Sequence, residues 1–393
     1  MLRPDSLPAL QRALADARLD GWLLYDFHGI NPIANGLLAL EGMVSRRIFV
    51  WIPREGPPRA LGHAIENGPW RLWPAQWPRG SYSSWRQLEA AVGEMVRGKR
   101  IAMEYSPGDA VPYLDRVPAG VLEMVRAAGA TEIVSSGELV TQFYAVWTPE
   151  HLASHLRSAE TIKTIALDAF RHAGERSRTK EPIAEHELVQ WILDRFARAG
   201  VSTDHGPSVC AGANSANPHY EPSADRPRPI LDGEVLLIDL WATEAGGIYA
   251  DQTWMATLGT PSARAQEIWS IVRDARDAAI DLVQRSAADG TSIRGADVDD
   301  AARNVIVARG YGDRFIHRTG HSIDPRSLHG SGPHLDNLET RETRALIPGV
   351  GFSIEPGLYI PGELGMRSEV NAFLEPGRAL ITPTEYQREL IVA

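Results

Sequence analysis

The sequence predicts two domains, an α/β domain followed by an α+β domain. Its 393 residues exceed what one hydrophobic core usually serves, so a division into two domains is expected. Strand-like and helical patterns alternate over roughly the first 145 residues, which is typical of an α/β domain. Long amphipathic helices and then a strand-rich end follow. We therefore predict domains at residues 1–150 and 151–393.

The α/β prediction rests on a regular succession of elements. Strands are predicted at GWLLYDF, RRIFVWIP and KRIAMEYS, and helices at residues 85–96 and 121–128. The Pro- and Gly-rich segment 68–85 reads as a loop and carries four tryptophans, Trp70, Trp73, Trp77 and Trp85. Tryptophans of this kind either pack in a core or an interdomain seam, or they form a subunit interface or a wall of the active site. We favour packing.

The second half opens with a long amphipathic helix that starts near Thr148. The elements predicted after it are the helix EHELVQWILDRFARAG, the strand SVCAGA, the hairpin VLLIDLWATEAGGIYADQTWMATLG, the helices ARAQEIWSIVRDARDAAIDLVQ and GADVDDAARNVIVARG, and strands from Phe315 onward. This mixture predicts an α+β domain.

Composition argues against several classes of protein. The net charge of −10 disfavours a nucleic-acid partner, which requires a basic face. No apolar run approaches the ~18 residues of a membrane span, and the N-terminus lacks the apolar region of a secretory signal. Cys210 is the only cysteine, so an intrachain disulfide is excluded, which suits a reducing compartment. We predict a soluble cytoplasmic protein with no nucleic-acid or membrane partner.

Two aspartates, Asp239 and Asp251, stand on the apolar strands of the predicted hairpin, whose turn lies at residues 245–247. An unpaired charge in such a place costs several kcal/mol or more. Side chains paired across a hairpin could point to the same place, where two carboxylates repel each other unless a cation or a shared proton intervenes. The pair is therefore an acid–base dyad, two surface charges at the hairpin ends, or a pair of metal ligands.

Residues further along the chain favour metal ligands. His317 and His321 stand in FIHRTGHSID, Glu355 ends an apolar strand, and LGMRSEVNAFL predicts a strand that carries Glu369 on the same face as Arg367. Two Asp, one His and two Glu suit two divalent ions such as Mn²⁺ or Co²⁺, and Zn²⁺ is also compatible. Bridging carboxylates would hold such ions ~3.5–4 Å apart. Each residue alone could be a surface charge or a satisfied buried side chain, but five such residues together make that explanation improbable.

The order Asp, Asp, His, Glu, Glu, with IEPGLYI around the fourth ligand, resembles the pita-bread metallopeptidases. This family includes prolidase, aminopeptidase P, methionine aminopeptidase and the metal-free creatinase. The motifs cover residues 219–369, and the N-terminal domain looks like the one shared by prolidase, aminopeptidase P and creatinase. The resemblance implies a pita-bread catalytic domain after a creatinase-type N-terminal domain.

The resemblance also implies two divalent metal ions per chain, with Mn²⁺ preferred. Asp239 would chelate one ion, Asp251 and Glu369 would bridge both, and His321 and Glu355 would complete the shell of the other. A water bridging the ions would lose a proton near neutral pH. Glu355 would take that proton and pass it to the leaving nitrogen of the cleaved bond.

Four further residues match family positions around the ligands. His219, in NPHYEPS, and His317 would position substrate, and His329, in SLHGSGPH, would stabilise the oxyanion of the tetrahedral intermediate. Arg367 would orient the last glutamate. The alternative for the histidines is that they are buried structural side chains.

Two departures from the family pattern affect these assignments. Twelve positions separate Asp239 from Asp251, one more than is usual in the family. Residues 324–326, Asp-Pro-Arg, replace a Gly-rich segment after the ligand histidine. As a result His329 stands one position late, and His334 becomes a rival for its role.

The implied reaction is hydrolysis of Xaa-Pro bonds in dipeptides or other short proline-containing peptides. A dipeptidase must bind the free proline carboxylate, which a guanidinium does best. Arg341, fourteen residues before Glu355, matches the arginine that prolidases carry there, although RETR also reads as a solvated charge run. We favour a prolidase that acts as a homodimer. The alternatives are aminopeptidase P acting on longer peptides, a non-peptide amidohydrolase, or a binding protein on the same fold.

Overall fold

The computed structural model describes residues 2–42 and 44–393. The chain clusters into two compact units, Met1–Ala145 and Val146–Ala393. The boundary that we predict at residue 150 lies inside a helix that begins at Pro149. That helix starts there because the Thr148 hydroxyl accepts a hydrogen bond from the His151 N–H and because Pro149 has a φ suited to a first turn.

In the described part of the N-terminal unit, six strands form one mixed sheet in the order β4-β3-β2-β1-β5-β6. The strands are β1 Gly21–Asp26, β2 Ile48–Pro53, β3 Arg59–His63, β4 Arg79–Tyr82, β5 Arg100–Met103 and β6 Glu132–Ser135. The helices are α1 Leu7–Asp16, α2 Pro32–Leu38, α3 Trp85–Val96, α4 Ala119–Ala127 and α5 Gly137–Phe143.

The central strands of this sheet are buried on both faces because their alternate side chains enter different cores. Trp22 and Leu24 pack in a core to which α1, α2 and α5 contribute. Leu23 and Tyr25 pack in a second core, formed with α3 and α4. The unit is therefore a three-layer α/β structure, as the alternation of elements predicts.

The tryptophan-rich segment is only partly a loop, because it contains β4 and a short 3₁₀ turn at Gly68–Trp70. Trp70 and Trp77 are buried in the core that includes Trp22. Trp73 packs edge-on against both, with ring centroids 5.7 and 5.2 Å apart. These tryptophans form part of a core, whereas Trp85 is exposed.

The C-terminal unit combines long helices with several small sheets. Its helices are α6 Pro149–Ser177, α7 Glu185–Ala199, α8 Ala263–Asp289 and α9 Gly295–Ala308. Its strands are β7 Val201–Ser202, β8 Ser208–Ala211, β9 Val235–Glu244, β10 Ala250–Thr257, β11 Ser322–Ile323, β12 Gly351–Ile354, β13 Gly357–Ile360, β14 Leu364–Arg367, β15 Val370–Glu375, β16 Arg378–Thr382 and β17 Ile391–Val392. Among the described residues, no helix is both long and apolar enough to cross a membrane.

Two helix pairs cover the sheets of this unit. Helices α6 and α7 share a core with β8, β9 and β10, and α8 and α9 share a core with strands β12 to β15. Strands β11, β12, β15 and β16 form one sheet, and β13 pairs with β14 in a separate hairpin.

The strand predicted around Glu369 is wrong. Strand β14 ends at Arg367 and β15 begins at Val370, so Glu369 lies in the short connection between them. The chain changes sheets at this point, because β14 pairs with β13 whereas β15 pairs with β12 and β16. The same-face argument for Arg367 and Glu369 therefore does not apply.

Candidate active site

A cavity of about 490 Å³ opens in the C-terminal unit. All of the predicted metal ligands line it, and the structure therefore brings together Asp239, Asp251, His321, Glu355 and Glu369. Four separate chain segments supply these residues, namely the β9–β10 hairpin, the start of β11, the end of β12 and the β14–β15 connection.

Strand alternation explains why the aspartates stand on apolar strands. Ile238 and Leu240 of β9 pack in the core that contains α6 and α7. The intervening Asp239 therefore faces the other way, towards the cavity. In the hairpin register Asp239 pairs with Thr253, and Asp251 pairs with Trp241. The two aspartates thus lie on the same face of the hairpin. They are diagonal neighbours, because Asp251 pairs with the residue two positions after Asp239.

Pairing of β11 with β12 places His321 beside Glu355. The Ser353 N–H donates to the His321 carbonyl oxygen at 2.9 Å, and the Ser353 hydroxyl accepts from the His321 N–H at 2.9 Å. The Glu355 N–H donates to the Thr319 carbonyl oxygen at 2.7 Å. These hydrogen bonds fix the backbone at both ligand-bearing positions.

The His321 ring is oriented as a metal ligand would be. Its Nδ1 lies 3.2 Å from the Ser322 carbonyl oxygen, and a carbonyl can only accept, so Nδ1 carries the proton. Burial lowers the pKa of His321. Its Nε2 therefore carries the lone pair with which a histidine binds a metal. This atom lies 3.3 Å from Asp251 Oδ2 and 3.4 Å from Glu355 Oε1.

The donor set fits divalent cations. Asp251, His321 and Glu369 are buried, and one ligand atom from each lies within 4.8 Å of the others. Glu369 Oε1 is buried and has no hydrogen-bond partner among the described residues. A buried carboxylate oxygen in that state is satisfied by a cation or by a shared proton, since an unsatisfied charged acceptor is costly.

The electrostatics of the carboxylates lead to the same conclusion. Burial raises the pKa of Asp239 to about 7, against the lowering effect of Arg367. Burial and neighbouring carboxylates raise the pKa values of Asp251 and Glu369 well above the usual range. Glu355 is the exception, because its burial is outweighed by the neighbouring imidazoles, the Arg367 guanidinium and the Ser353 hydrogen bond, which together lower its pKa. The four carboxylates thus have one guanidinium, Arg367, to balance them within the described part of the cavity lining.

Arg367 and Thr253 connect the two halves of the ligand set. The Arg367 guanidinium pairs with Asp239 Oδ2, and its Nε donates to Thr253 Oγ1 at 2.8 Å. The Thr253 hydroxyl in turn donates to Glu369 Oε2 at 2.9 Å. Arg367 thus pairs with Asp239 directly and is linked to Glu369 by hydrogen bonds through Thr253. Sequence reasoning missed Thr253, although its position two residues after Asp251 on one strand was a usable signal.

The predicted histidines occupy different positions. His219 and His329 line the cavity, and the His329 ring packs edge-on against His321 with centroids 4.2 Å apart. His317 is not among the lining residues, and its Nε2 accepts from the Tyr359 hydroxyl at 2.8 Å. His334 is buried, and its Nδ1 accepts from the Ser322 N–H at 3.2 Å. The structure thus brings His329, and not His334, to the cavity.

Arg341 is not brought to the cavity. It is exposed and does not occur among the described residues that line it. Its neighbours Glu342 and Arg344 form a buried ion pair at 2.6 Å, and Arg344 also donates to the Ser331 carbonyl oxygen at 2.6 Å. The alternating segment therefore turns Arg341 outward, and its predicted role in binding a carboxylate stays a prediction.

Apolar and aromatic walls complete the cavity, and sequence reasoning assigned them no role. They are Val189, Pro207, Pro218, Tyr220, Pro222, Trp241 and Leu328. Glu185, at the start of α7, is buried and accepts hydrogen bonds from the Tyr220 hydroxyl at 2.7 Å and the Ala211 N–H at 2.6 Å. It thereby anchors the segment that carries His219.

Residues 154–375 match the family model Peptidase_M24, metallopeptidase family M24. The match covers more than half of the chain. This chain belongs to metallopeptidase family M24. The predicted family is thereby confirmed, and membership implies divalent metal ions, which the buried Asp, His and Glu group could hold.

Curated relatives of this M24 chain include dipeptidases. It is 37% identical to the Xaa-Pro dipeptidase of Lactobacillus helveticus over 161 residues, which are 41% of this chain and 40% of that protein. It is 35% identical to the Xaa-Pro dipeptidase of Lactobacillus delbrueckii subsp. lactis over 228 residues, 55% of this chain and 57% of that protein. The chain thus spans about half the length of the curated relatives that it matches.

Solved structures resemble the whole M24 chain. Dipeptidase PepE from Mycobacterium ulcerans superposes with a TM-score of 0.77 at 22% identity, covering 99% of this chain and 97% of that one. Prolidase from Thermococcus sibiricus superposes with a TM-score of 0.68 at 22% identity and covers all of both chains. At this identity the likeness concerns the fold alone, and it confirms the predicted α/β domain followed by a pita-bread domain.

Proposed function

We propose that this M24 chain is a dinuclear-metal hydrolase that cleaves Xaa-Pro dipeptides. The observation that carries the proposal is the convergence of four carboxylates and the His321 lone pair in one cavity, where Glu369 Oε1 has no partner among the described residues. The substrate is proposed because two curated relatives carry the name Xaa-Pro dipeptidase. A cavity of about 490 Å³ also lies within the range usual for small ligands.

The five predicted ligands, Asp239, Asp251, His321, Glu355 and Glu369, would hold two divalent ions. Mn²⁺ is our first choice because carboxylate oxygens dominate the set, and Co²⁺ or Zn²⁺ would also fit it. When bound, such ions supply an activated water and polarise the scissile carbonyl. The Arg367 contact to Asp239 would hold that carboxylate in a single orientation for the metal.

The remaining steps belong to side chains of this chain. Glu355 would accept a proton from the attacking water and deliver it to the leaving nitrogen, with its Oε1 held by the Ser353 hydroxyl at 2.9 Å. His329 would donate a hydrogen bond to the developing oxyanion. His219 would contact the substrate from the cavity wall. His317 does not line the cavity, so it would help to position the substrate indirectly, through its hydrogen bond to Tyr359.

Two further features belong to the proposal. We infer a homodimer from the family resemblance, and light scattering on the purified chain tests that inference directly. A cytoplasmic location rests on the single cysteine, which suits a reducing compartment, and stays a prediction. Fractionation of cells that produce the chain tests it.

The hydrolysis experiment uses metal-stripped protein with Mn²⁺, Co²⁺ or Zn²⁺ restored in turn. Matched substrates Xaa-Pro and Xaa-Pro-Yaa are compared, with Asp251→Asn as the inactive control. Cleavage of the dipeptides alone supports the proposal. Preferential cleavage of the longer peptides contradicts dipeptidase activity and favours an aminopeptidase. If neither substrate is cleaved in a metal-dependent way, the proposed reaction is wrong.

A further inference from the structure

Asp299, on helix α9, carries a fully buried carboxylate that is not one of the five ligands. It forms an ion pair with Arg303 one turn later on the same helix. Arg303 Nε donates to Asp299 Oδ2 at 3.0 Å, and Arg303 Nη2 donates to Asp299 Oδ1 at 2.9 Å. Asp299 Oδ2 also accepts from the Asn337 N–H at 3.1 Å. Neither member of the pair occurs among the described residues that line the cavity, so the pair is placed to act through other residues.

Arg303 connects the pair to the segment 315–319, which precedes the ligand histidine. Its Nη1 donates to the Phe315 carbonyl oxygen at 3.0 Å, and its Nη2 donates to the His317 carbonyl oxygen at 2.9 Å. The guanidinium carbon also lies 4.1 Å from the centre of the Phe315 ring. Because Asp299 fixes the Arg303 guanidinium, these contacts hold the backbone of the segment against α9.

Thr319 connects the pair to two ligand-bearing positions. Asp299 Oδ1 accepts from the Thr319 N–H at 2.9 Å and from the Thr319 hydroxyl at 2.6 Å. The Thr319 carbonyl oxygen accepts from the Glu355 N–H at 2.7 Å, and His321 follows two residues after Thr319. A shift of Thr319 therefore displaces the backbone of both ligands.

We propose that Asp299 is a positioning residue for the proposed hydrolysis, because it fixes Glu355 and His321 through Thr319. The inference rests on the proposed function and adds to it a residue from outside the cavity. A carboxylate suits this task, since it accepts hydrogen bonds at both oxygens and donates none. Hydrogen bonds to a charged acceptor are also stronger than neutral ones. Precise support of this kind matters because small displacements of reacting groups slow catalysis strongly.

The first test measures the Mn²⁺ affinity of metal-stripped protein by titration calorimetry. Asp299→Asn places an NH₂ donor where a carboxylate oxygen accepts. We expect it to weaken Mn²⁺ binding by about 10- to 100-fold, the usual effect of losing a group that orients a metal ligand. Thr319→Val removes only the hydroxyl contact to Asp299 and should weaken binding about tenfold. Thr319→Ser restores that hydroxyl and should bind Mn²⁺ within about twofold of the wild type.

Glu104→Gln is the matched control for Asp299→Asn. Glu104 is also a fully buried carboxylate with several side-chain donors, but it belongs to the N-terminal unit. Its replacement should leave the Mn²⁺ dissociation constant unchanged. Partial unfolding of any variant would lower the number of ions bound per chain without changing that constant, so calorimetry separates misplaced ligands from lost structure.

The second test follows cleavage of Ala-Pro at saturating Mn²⁺. Displacement of Glu355 should lower the kcat of Asp299→Asn by about 10- to 100-fold. Its KM should stay within about twofold of the wild-type value, because the cavity walls that contact the substrate are unchanged.

The outcomes separate the positioning role from the proposed function. Wild-type Mn²⁺ affinity in Asp299→Asn would overturn the positioning role, and if that variant does not fold, the same result in Thr319→Val would do so. An equal loss of affinity in Glu104→Gln would also overturn it, because the effect would then reflect general stability. If the wild type binds Mn²⁺ but does not cleave Ala-Pro, the proposed hydrolysis fails, and the affinities still decide whether Asp299 positions the ligands.

Discussion

Replacement of Thr253 by valine tests how the ligand set is held together. Its buried hydroxyl accepts from Arg367 Nε at 2.8 Å and donates to Glu369 Oε2 at 2.9 Å. Each hydrogen bond to a charged group contributes about 1.5–3 kcal/mol. The two bonds together are therefore worth roughly 3–6 kcal/mol, less whatever a water molecule restores. Valine keeps the shape of the side chain but removes the partner of both Arg367 Nε and Glu369 Oε2.

The assay measures Mn²⁺ affinity by titration calorimetry and the free energy of unfolding in urea. Loss of a group that orients a metal ligand usually weakens metal affinity by about 10- to 100-fold, and we expect Thr253→Val to do so. Thr257→Val is the matched control, because buried Thr257 on the same strand donates only to the Gly259 carbonyl oxygen at 3.0 Å. It should cost about 1 kcal/mol and leave Mn²⁺ affinity unchanged. Equal Mn²⁺ affinities in the two variants would refute the reasoning.

Three other predictions follow from the same structure. Burial raises the pKa of Glu104 from 4.5 to about 7. Its contribution to the free energy of unfolding is therefore complete below pH 4.5, and about 3 kcal/mol is lost as the pH rises to about 7. Urea unfolding across that range should show a flatter pH dependence for Glu104→Gln, and an unchanged slope would contradict the prediction. A Cβ on Gly320 would lie 2.0 Å from the Ser353 carbonyl oxygen, so Gly320→Ala should displace the His321 segment and weaken Mn²⁺ binding at least about tenfold, whereas unaltered calorimetry would count against this. Thr148→Ala removes the cap of α6 and should lower the free energy of unfolding by about 1 kcal/mol, measured with urea.

The sequence predicted the parts of the site that follow from regular periodicity. Asp239 and Asp251 interrupt apolar strands, and strand alternation alone places both on the face away from α6 and α7. Glu355 follows an apolar strand that ends as predicted. Glu369 was placed on a strand by its apolar neighbours, but local sequence does not reveal that the chain changes partner strands at residues 368–369.

Other parts of the site depend on tertiary packing that no local pattern reveals. Arg341 was chosen by its distance from Glu355 along the chain, yet the buried pair of Glu342 and Arg344 turns it outward. Arg326 was noted only as a departure from a family pattern. The buried Asp324 carboxylate organises its turn, because Asp324 Oδ1 accepts from the Arg326 N–H at 2.9 Å.

The central claim is that the five ligands hold two divalent ions, and metal stoichiometry tests it most directly. Metal-stripped wild type and Glu369→Gln are dialysed against Mn²⁺. The Mn²⁺ bound per chain is then measured by elemental mass spectrometry of the dialysed protein. We predict two Mn²⁺ per wild-type chain and a clear loss in Glu369→Gln, because that substitution removes one carboxylate from the buried Asp251, His321 and Glu369 group. One ion or none in the wild type, or equal metal content in both proteins, would contradict the claim.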